Sequence, residues 1–143
     1  MPPVVPYEEL ALPEEEDGSV TPQQVKLRPR LLEVPDHVEA GDTLRYVVEL
    51  SNDSGAPVPL DPCPAYYQAW GESSVAIART SYLNCDDALP EIAPGGALRF
   101  EMELPIRGRH VPGVVGSIVW YLGTPDAEVR GEVYTSGEVT AVR

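Results

Sequence analysis

Long hydrophobic runs are missing from this sequence of 143 residues. Nothing in it approaches the stretch of about 20 apolar residues that crosses a bilayer as a helix. The residues after Met1 also lack the apolar core of a signal peptide. We therefore expect neither a membrane-spanning helix nor a signal peptide in the sequence as written.

Positive charge is also scarce. Ten lysines and arginines face 23 aspartates and glutamates, which gives a formal net charge of −13. Nucleic acids and anionic membrane surfaces would be repelled by most of such a surface. We therefore expect no nucleic-acid partner, and membrane contact only through an anchor upstream of Met1.

Catalytic motifs are absent. Only His37 and His110 could act as a general base of the usual kind, and neither lies in a known motif. The sequence has no G-x-S-x-G, H-E-x-x-H or C-x-x-C pattern, and Gly95-Gly96 is typical of a hairpin turn. We predict no catalytic residue, no zinc site, no cofactor and no enzymatic activity.

Strand periodicity is present instead, in a chain whose 16 prolines and 12 glycines argue against long helices. Two segments alternate apolar and polar residues, which places one row of side chains on each face of a strand. The apolar rows are Leu44, Tyr46, Val48 and Leu50 in one segment, and Leu98, Phe100, Met102, Leu104 and Ile106 in the other. Both segments are predicted to be core strands.

The remaining segments complete a sandwich. Val25–Val34 contains Pro29, which predicts an edge strand or a change of sheet. Val114–Leu122 should turn Gly116, Ile118, Trp120 and Leu122 inward, and Gly131–Val142 is the last strand. Strands at intervals of about 8–12 residues predict an all-β, antiparallel Ig-like β-sandwich of about seven strands. This single domain should span residues 25–143.

Residues 1–24 differ in composition. They hold six acidic residues and five prolines but no lysine or arginine. Such a segment buries too little apolar surface to offset its ordering entropy, so we expect a flexible, acidic, proline-rich segment. Docking on a neighbouring surface is the alternative for its apolar residues Val4, Val5, Tyr7, Leu10 and Leu12.

The two cysteines, Cys63 and Cys85, are predicted to form one disulfide. The alternative is a pair of buried thiols in a cytosolic protein. A disulfide favours an oxidising compartment, hence an extracytoplasmic protein, secreted or membrane-anchored. A signal or anchor segment upstream of Met1 would reconcile this setting with the missing signal peptide.

Aromatic residues supply the candidate contacts. Neighbouring residues on a strand face opposite ways. We expect Tyr67 to face the core and Tyr66 to face outward, and Tyr121 to face outward beside a buried Trp120. Tyr66 and Tyr121 are thus the candidate contact residues, because tyrosine favours the centres of interfaces. The alternative is that these rings belong to the core.

Calcium is the one metal to weigh, because oxygen ligands on loops can bind it. Asp86 and Asp87 follow Cys85, and Asp53, Asp61 and Glu91 lie nearby in sequence. Since no spaced D-x-D-x-D loop occurs, we predict no metal site. Asp86 and Asp87 are then two solvated carboxylates in a turn.

Several of these residues resemble a known family. Gly41 to Asn52 resembles the G-x-x-L-x-Y-x-v-x-l-x-N opening of bacterial extracellular Ig-like repeats. The further set is similar to actinobacterial secreted or membrane-anchored Ig-like domains of unknown function; it comprises Cys63-Pro64-x-Tyr66, Leu83-Asn84-Cys85, Ile92-x-Pro94-Gly95, Arg99-Phe100-x-Met102 and Trp120-x-Leu122. The resemblance implies a sandwich, a disulfide and an extracytoplasmic setting, and it implies no activity.

These observations favour a non-enzymatic, extracytoplasmic Ig-like binding or structural module that contacts protein or cell-wall polymer. The alternative is a calcium-stabilised carbohydrate-binding or adhesion module. A third interpretation is an inhibitor-like sandwich that presents the Gly108–Gly113 loop to a protease.

Overall fold

The computed structural model describes residues 3–8, 10–11, 20–39, 41–72, 75–106, 115–123 and 134–142. These residues form twelve strands and two short 3₁₀ turns, Gln24–Lys26 and Cys85–Asp87. The strands are β1 (Val4–Val5), β2 (Leu10–Ala11), β3 (Leu27–Leu32), β4 (His37–Glu39), β5 (Thr43–Asn52), β6 (Val58–Pro59), β7 (Ala65–Glu72), β8 (Val75–Tyr82), β9 (Glu91–Ile92), β10 (Ala97–Pro105), β11 (Val115–Leu122) and β12 (Tyr134–Val142).

Two main sheets form the sandwich. The small sheet has the strand order β1-β10-β5-β3, and the large sheet has the order β2-β8-β7-β11-β12-β4. A third sheet pairs β6 with β9. The pairings are antiparallel except for β1 with β10 and β4 with β12. The predicted all-β, antiparallel sandwich is confirmed.

The core lies between the two main sheets. Opposite residues of β5 and β10 send their apolar side chains inward together, as at the pairs Leu44–Leu104 and Val48–Phe100. The large sheet contributes Tyr66, Trp70 and residues of β11 to the same core. Each inward row is the one that alternation predicted for β5, β10 and β11.

Proline placement agrees with the predicted topology. Pro29 lies in β3, which is an edge strand of the small sheet and pairs only with β5. An edge strand tolerates proline because one of its sides needs no amide donors.

A buried asparagine organises the turn after β5. Asn52 Nδ2 donates to the carbonyl oxygens of Ala56 at 2.7 Å and Ile92 at 2.8 Å. Its Oδ1 accepts from the backbone N–H of Ser54 at 2.9 Å. Gly55 then takes a φ of 81°, a conformation that favours glycine. The turn is therefore held by the last residue of the resemblance motif.

The N-terminal residues correct one expectation. Val4–Val5 and Leu10–Ala11 pair with the two main sheets, and Val5 is only 1% exposed. Gln24 is fully buried, where its Nε2 donates to the carbonyls of Pro59 at 3.2 Å and Pro62 at 2.8 Å. At these positions residues 1–24 are part of the sandwich, and docking is the interpretation that the structure shows.

Three strand bounds follow from the pairing. His37 begins β4, where it pairs with Thr140 of β12. β8 runs from Val75 to Tyr82. β12 continues without a break through Ser136 and Gly137, because both have partners in β11.

Candidate functional site

The orientation predicted for the neighbouring tyrosines is wrong. Tyr66 is 2% exposed and packs in the core, where its ring stacks on Trp120 with centroids 5.7 Å apart. Tyr67 is the half-buried residue on the outer face. Strand alternation shows only that the two rings lie on opposite faces of the sheet. Which ring faces the core follows from Trp70, because it lies four residues from Tyr66 and therefore on the same, buried face. Tyr66 is therefore not a surface contact.

Tyr121, the second predicted contact, is half-buried on the outer face beside fully buried Trp120. It lies directly opposite Tyr67, because β11 and β7 pair these two residues. Their rings are tilted by 33° with centroids 5.7 Å apart. That separation is typical of favourable aromatic pairs. The structure thus pairs Tyr121 with Tyr67, the tyrosine that was predicted from the sequence to face the core.

The described neighbours of this pair on β7, β8 and β11 are uncharged. On the outer face of the large sheet, register aligns Thr80 with Tyr67, and Ala78 and Val119 with Ala69. We name this surface the tyrosine face; the described side chains that reach it are those of Tyr67, Ala78, Thr80, Tyr82, Ser117, Val119 and Tyr121. Ala65 and Ala69 share this side of the sheet but are buried. None of these carries a charge, in a chain with a formal net charge of −13.

The outer face of the small sheet is different in kind. Glu49 accepts from Arg30 at 3.0 Å and from Arg99 at 2.9 Å, which links β5 to β3 and to β10. Arg45 and Glu103 approach within 3.9 Å on the same face. Arg30 and Arg45 are largely exposed, whereas Glu49 between its partners is mostly buried, so this face presents paired ions and no apolar patch of the described side chains.

The disulfide is formed, as predicted. Cys63 and Cys85 are joined with a Cα–Cα distance of 6.0 Å. Cys63 comes just before β7 and Cys85 just after β8, so the bond closes the open end of one hairpin. In antibody domains the disulfide joins the two sheets instead.

A shallow cavity of about 330 Å³ lies beside the disulfide. Asp61, Tyr82 and Asp86 are among its lining residues. Of the other acidic residues considered for calcium, Asp53 pairs with Arg28 at 3.2 Å, and Asp87 Oδ2 accepts from Asn84 Nδ2 at 2.9 Å. Glu91 lies exposed on β9. Across the described part of the chain, no group of three or more histidines, cysteines, aspartates or glutamates could hold a metal ion.

The remaining sequence candidates do not assemble into a site. His37 lies exposed on β4 at the edge of the large sheet. His110 and the Gly108–Gly113 loop lie outside the described residues.

Sequence reasoning missed a polar bridge in the core. Gln68 is fully buried, accepts from the Tyr46 hydroxyl at 2.6 Å and donates to the Glu103 carbonyl at 2.9 Å. Burial raises the pKa of Tyr46 well above its ordinary value, and nearby Tyr66 and Tyr7 add to the rise. Glutamine at an inward position of β7 is the signal that could have shown it, because a buried amide needs partners.

Comparison with known proteins identifies a fold but no family. No protein-family model matches the chain, and no curated protein matches its sequence. Among solved structures, it is similar to Pseudomonas fluorescens alkylpurine DNA glycosylase AlkC bound to DNA containing an abasic site analog, with a TM-score of 0.53 and 17% identity. That match covers 82% of this chain and 31% of the glycosylase chain, so the chain spans about a third of that protein.

A second similar structure is the CARDB domain of a Pyrococcus furiosus protein. It gives a TM-score of 0.50 at 12% identity and covers 82% of this chain and 94% of the domain. At such identities the likeness shows the fold alone. The strand orders β3-β5-β10 and β8-β7-β11-β12 correspond to A-B-E and C′-C-F-G of an immunoglobulin sandwich. The chain is an Ig-like module, and none of its described helical turns is long or apolar enough to cross a membrane.

Proposed function

We propose that this chain is a non-enzymatic, extracytoplasmic Ig-like binding module. It contacts a partner protein or a cell-wall polymer through the tyrosine face, centred on Tyr67 and Tyr121. The proposal keeps Tyr121 from the sequence interpretation and replaces Tyr66 with Tyr67, the neighbour that reaches the surface.

The paired rings of Tyr67 and Tyr121 carry the proposal. Rings that are half-buried and held side by side on a sheet lose little conformational entropy when a partner covers them. Tyrosine also offers an apolar ring and a polar hydroxyl, which suits interfaces that are dry at the centre and wet at the rim. The described side chains of this face carry no charge on a strongly acidic protein, which limits the repulsion that such a partner meets there.

The setting is supported by the disulfide. A bond between Cys63 and Cys85 persists in oxidising compartments, as in secreted proteins. The resemblance to secreted or membrane-anchored actinobacterial domains forms part of the same proposal.

DNA is not proposed as a partner, although the glycosylase of similar fold was solved with DNA. The tyrosine face offers no described lysine or arginine for phosphate contacts. The formal net charge of −13 would oppose association with a polyanion.

The test compares variants of the two outer faces. Tyr67→Ala/Tyr121→Ala removes both rings, and Arg45→Ala/Glu103→Ala removes an ion pair on the opposite face. Each folded protein is sedimented with purified insoluble peptidoglycan and screened on a glycan array and a surface-protein array. We expect the tyrosine variant to lose at least tenfold in affinity for the polymer or protein that the native chain binds. Equal affinity of both variants, or no binding by the native chain, would contradict the proposal.

Calcium distinguishes this function from a calcium-stabilised carbohydrate-binding or adhesion module. Asp61 and Asp86 line one cavity, but they provide only two carboxylates there. We expect millimolar calcium to leave both the melting temperature and glycan binding unchanged. A clear rise in melting temperature that Asp86→Asn abolishes would favour the alternative.

A further inference from the structure

The N-terminal strands close one open side of the sandwich. β1 pairs in parallel with the edge of β10, at Val4–Arg99 and Val5–Phe100. A few residues later β2 pairs with the edge of β8, at Leu10–Tyr82 and Ala11–Ser81. We call residues 3–8 and 10–11 the N-terminal strap, because they run from an edge of the small sheet to an edge of the large sheet.

Specific contacts hold the strap. The backbone N–H of Arg99 donates to the Pro3 carbonyl at 2.9 Å, and Asn84 Nδ2 donates to the Pro6 carbonyl at 2.9 Å. Val5 enters the apolar core and is 1% exposed, whereas its neighbour Val4 is 53% exposed. Val5 therefore anchors the strap in the core, Tyr7 is half-buried, and hydrogen bonds to the Pro3 and Pro6 carbonyls set the register of the strap.

The strand beneath the strap does not depend on it. All nine residues of β10 pair with β5 on the other side, and only Arg99 and Phe100 pair with β1. A strap that lifted away would leave two sheet edges with unpaired backbone groups. Such edges readily take up an extended strand from another molecule.

We infer that the strap exchanges between two copies of this chain, so that the strap of each copy pairs with β10 and β8 of the other. The same contacts form in both arrangements, so the balance depends on effective concentration and not on new interactions. For a short connection the effective concentration is on the order of millimolar, so exchanged dimers should accumulate near that protein concentration or when chains refold together. The chain's own strap shows the occupant that fits the two edges.

A peptide experiment tests whether the edges accept a strap from outside. The acceptor is the full chain with Val5→Asp, which weakens its own strap; the probe is a fluorescent peptide of residues 1–11. The matched control is the same peptide carrying Val5→Asp. We expect saturable binding of the native peptide, at least tenfold tighter than the control. Equal binding of the two peptides, or no binding to the folded acceptor, would overturn the inference.

A cross-linking experiment uses chains with their own straps intact. Val4→Cys and Arg99→Cys are placed in separate chains, because register sets these residues opposite each other. The control partner is Glu101→Cys, two positions along the same face of β10. The chains are refolded together at about millimolar concentration and oxidised. We expect several-fold more heterodimer with Arg99→Cys than with Glu101→Cys; equal yields would overturn the inference even if Val5→Asp fails to fold.

Discussion

The hydroxyl of Tyr46 donates a hydrogen bond of 2.6 Å to the amide oxygen of Gln68, and both side chains are buried between the two main sheets. Tyr46 belongs to β5 of the small sheet, and Gln68 belongs to β7 of the large sheet. Gln68 also donates to the backbone of β10 at Glu103. The two layers are therefore joined by directional bonds as well as by packing, which fixes their relative position.

Removing either partner should destabilise the sandwich. Tyr46→Phe leaves the Gln68 oxygen without its donor, and Gln68→Leu leaves both the hydroxyl and the Glu103 carbonyl without a partner. Each unsatisfied buried group costs about 1–3 kcal/mol. Denaturant unfolding should show that the double variant loses less free energy of unfolding than the sum of the single variants. Strict additivity would show that the two residues act independently.

Stability should fall in alkaline solution. The folded state raises the pKa of Tyr46, mainly by burying the phenol, so above the ordinary tyrosine pKa of about 10 the unfolded chain binds fewer protons than the folded chain. The stabilisation that the buried, neutral Tyr46 contributes is fully present below that pH and is lost as the pH rises towards the pKa of Tyr46 in the folded state. Chemical denaturation from pH 8 to 11 should show this decline, and it should be smaller in Tyr46→Phe. An identical decline in both proteins would assign the effect to other groups.

Asn52→Ala should destabilise much more than a change at its neighbour. Loss of the side chain leaves the buried Ile92 carbonyl without its amide donor and removes the acceptor of the Ser54 backbone N–H. The free energy of unfolding should fall by about 1–3 kcal/mol or more. Asp53→Ala is the matched control, because its ion pair with Arg28 is exposed and contributes about 0–1 kcal/mol. Thermal unfolding of both variants checks the ranking, and equal melting temperatures would contradict this role of Asn52.

Gly116→Ala should overpack the core. A Cβ at residue 116 would lie 2.6 Å from Cε2 of the buried Trp70 ring, so one of the two groups has to move. Overpacking of this kind costs about 1–3 kcal/mol. The adjacent exposed residue gives the control: Ser117→Ala should stay close to the native melting temperature. A Gly116→Ala protein as stable as this control would mean that Trp70 can shift freely.

Breaking the disulfide should destabilise the domain without abolishing the β7–β8 pairing. The cysteines are 22 residues apart, and closing a loop of that size stabilises by about 3 kcal/mol on the chain-entropy model. Cys63→Ala/Cys85→Ala should therefore unfold at lower denaturant concentration than the oxidised chain. The reduced native chain should match the double variant. A melting temperature unchanged on reduction would show that the hairpin is closed by its pairing alone.

The strand pattern was readable because burial repeats with the period of a strand. Alternation in β5, β10 and β11 predicted which residues face the core, and Pro29 predicted the edge position of β3. The pair Tyr66 and Tyr67 shows the limit of the method. Both rings suit either face, and the packing of Tyr66 in the core, on the same face as Trp70 and against Trp120 of the neighbouring strand, decides between them.

The sequence by itself determined the class of fold, the disulfide between Cys63 and Cys85, and the acidic surface, because periodicity, pairing chemistry and charge are local properties of a chain. Tertiary structure alone decided that Tyr67 meets Tyr121, that Gln68 bridges the sheets and that Val5 closes the sandwich. Each of these contacts joins residues distant in sequence. Their partners depend on which strands become neighbours, and that choice is made by the packing of the whole domain.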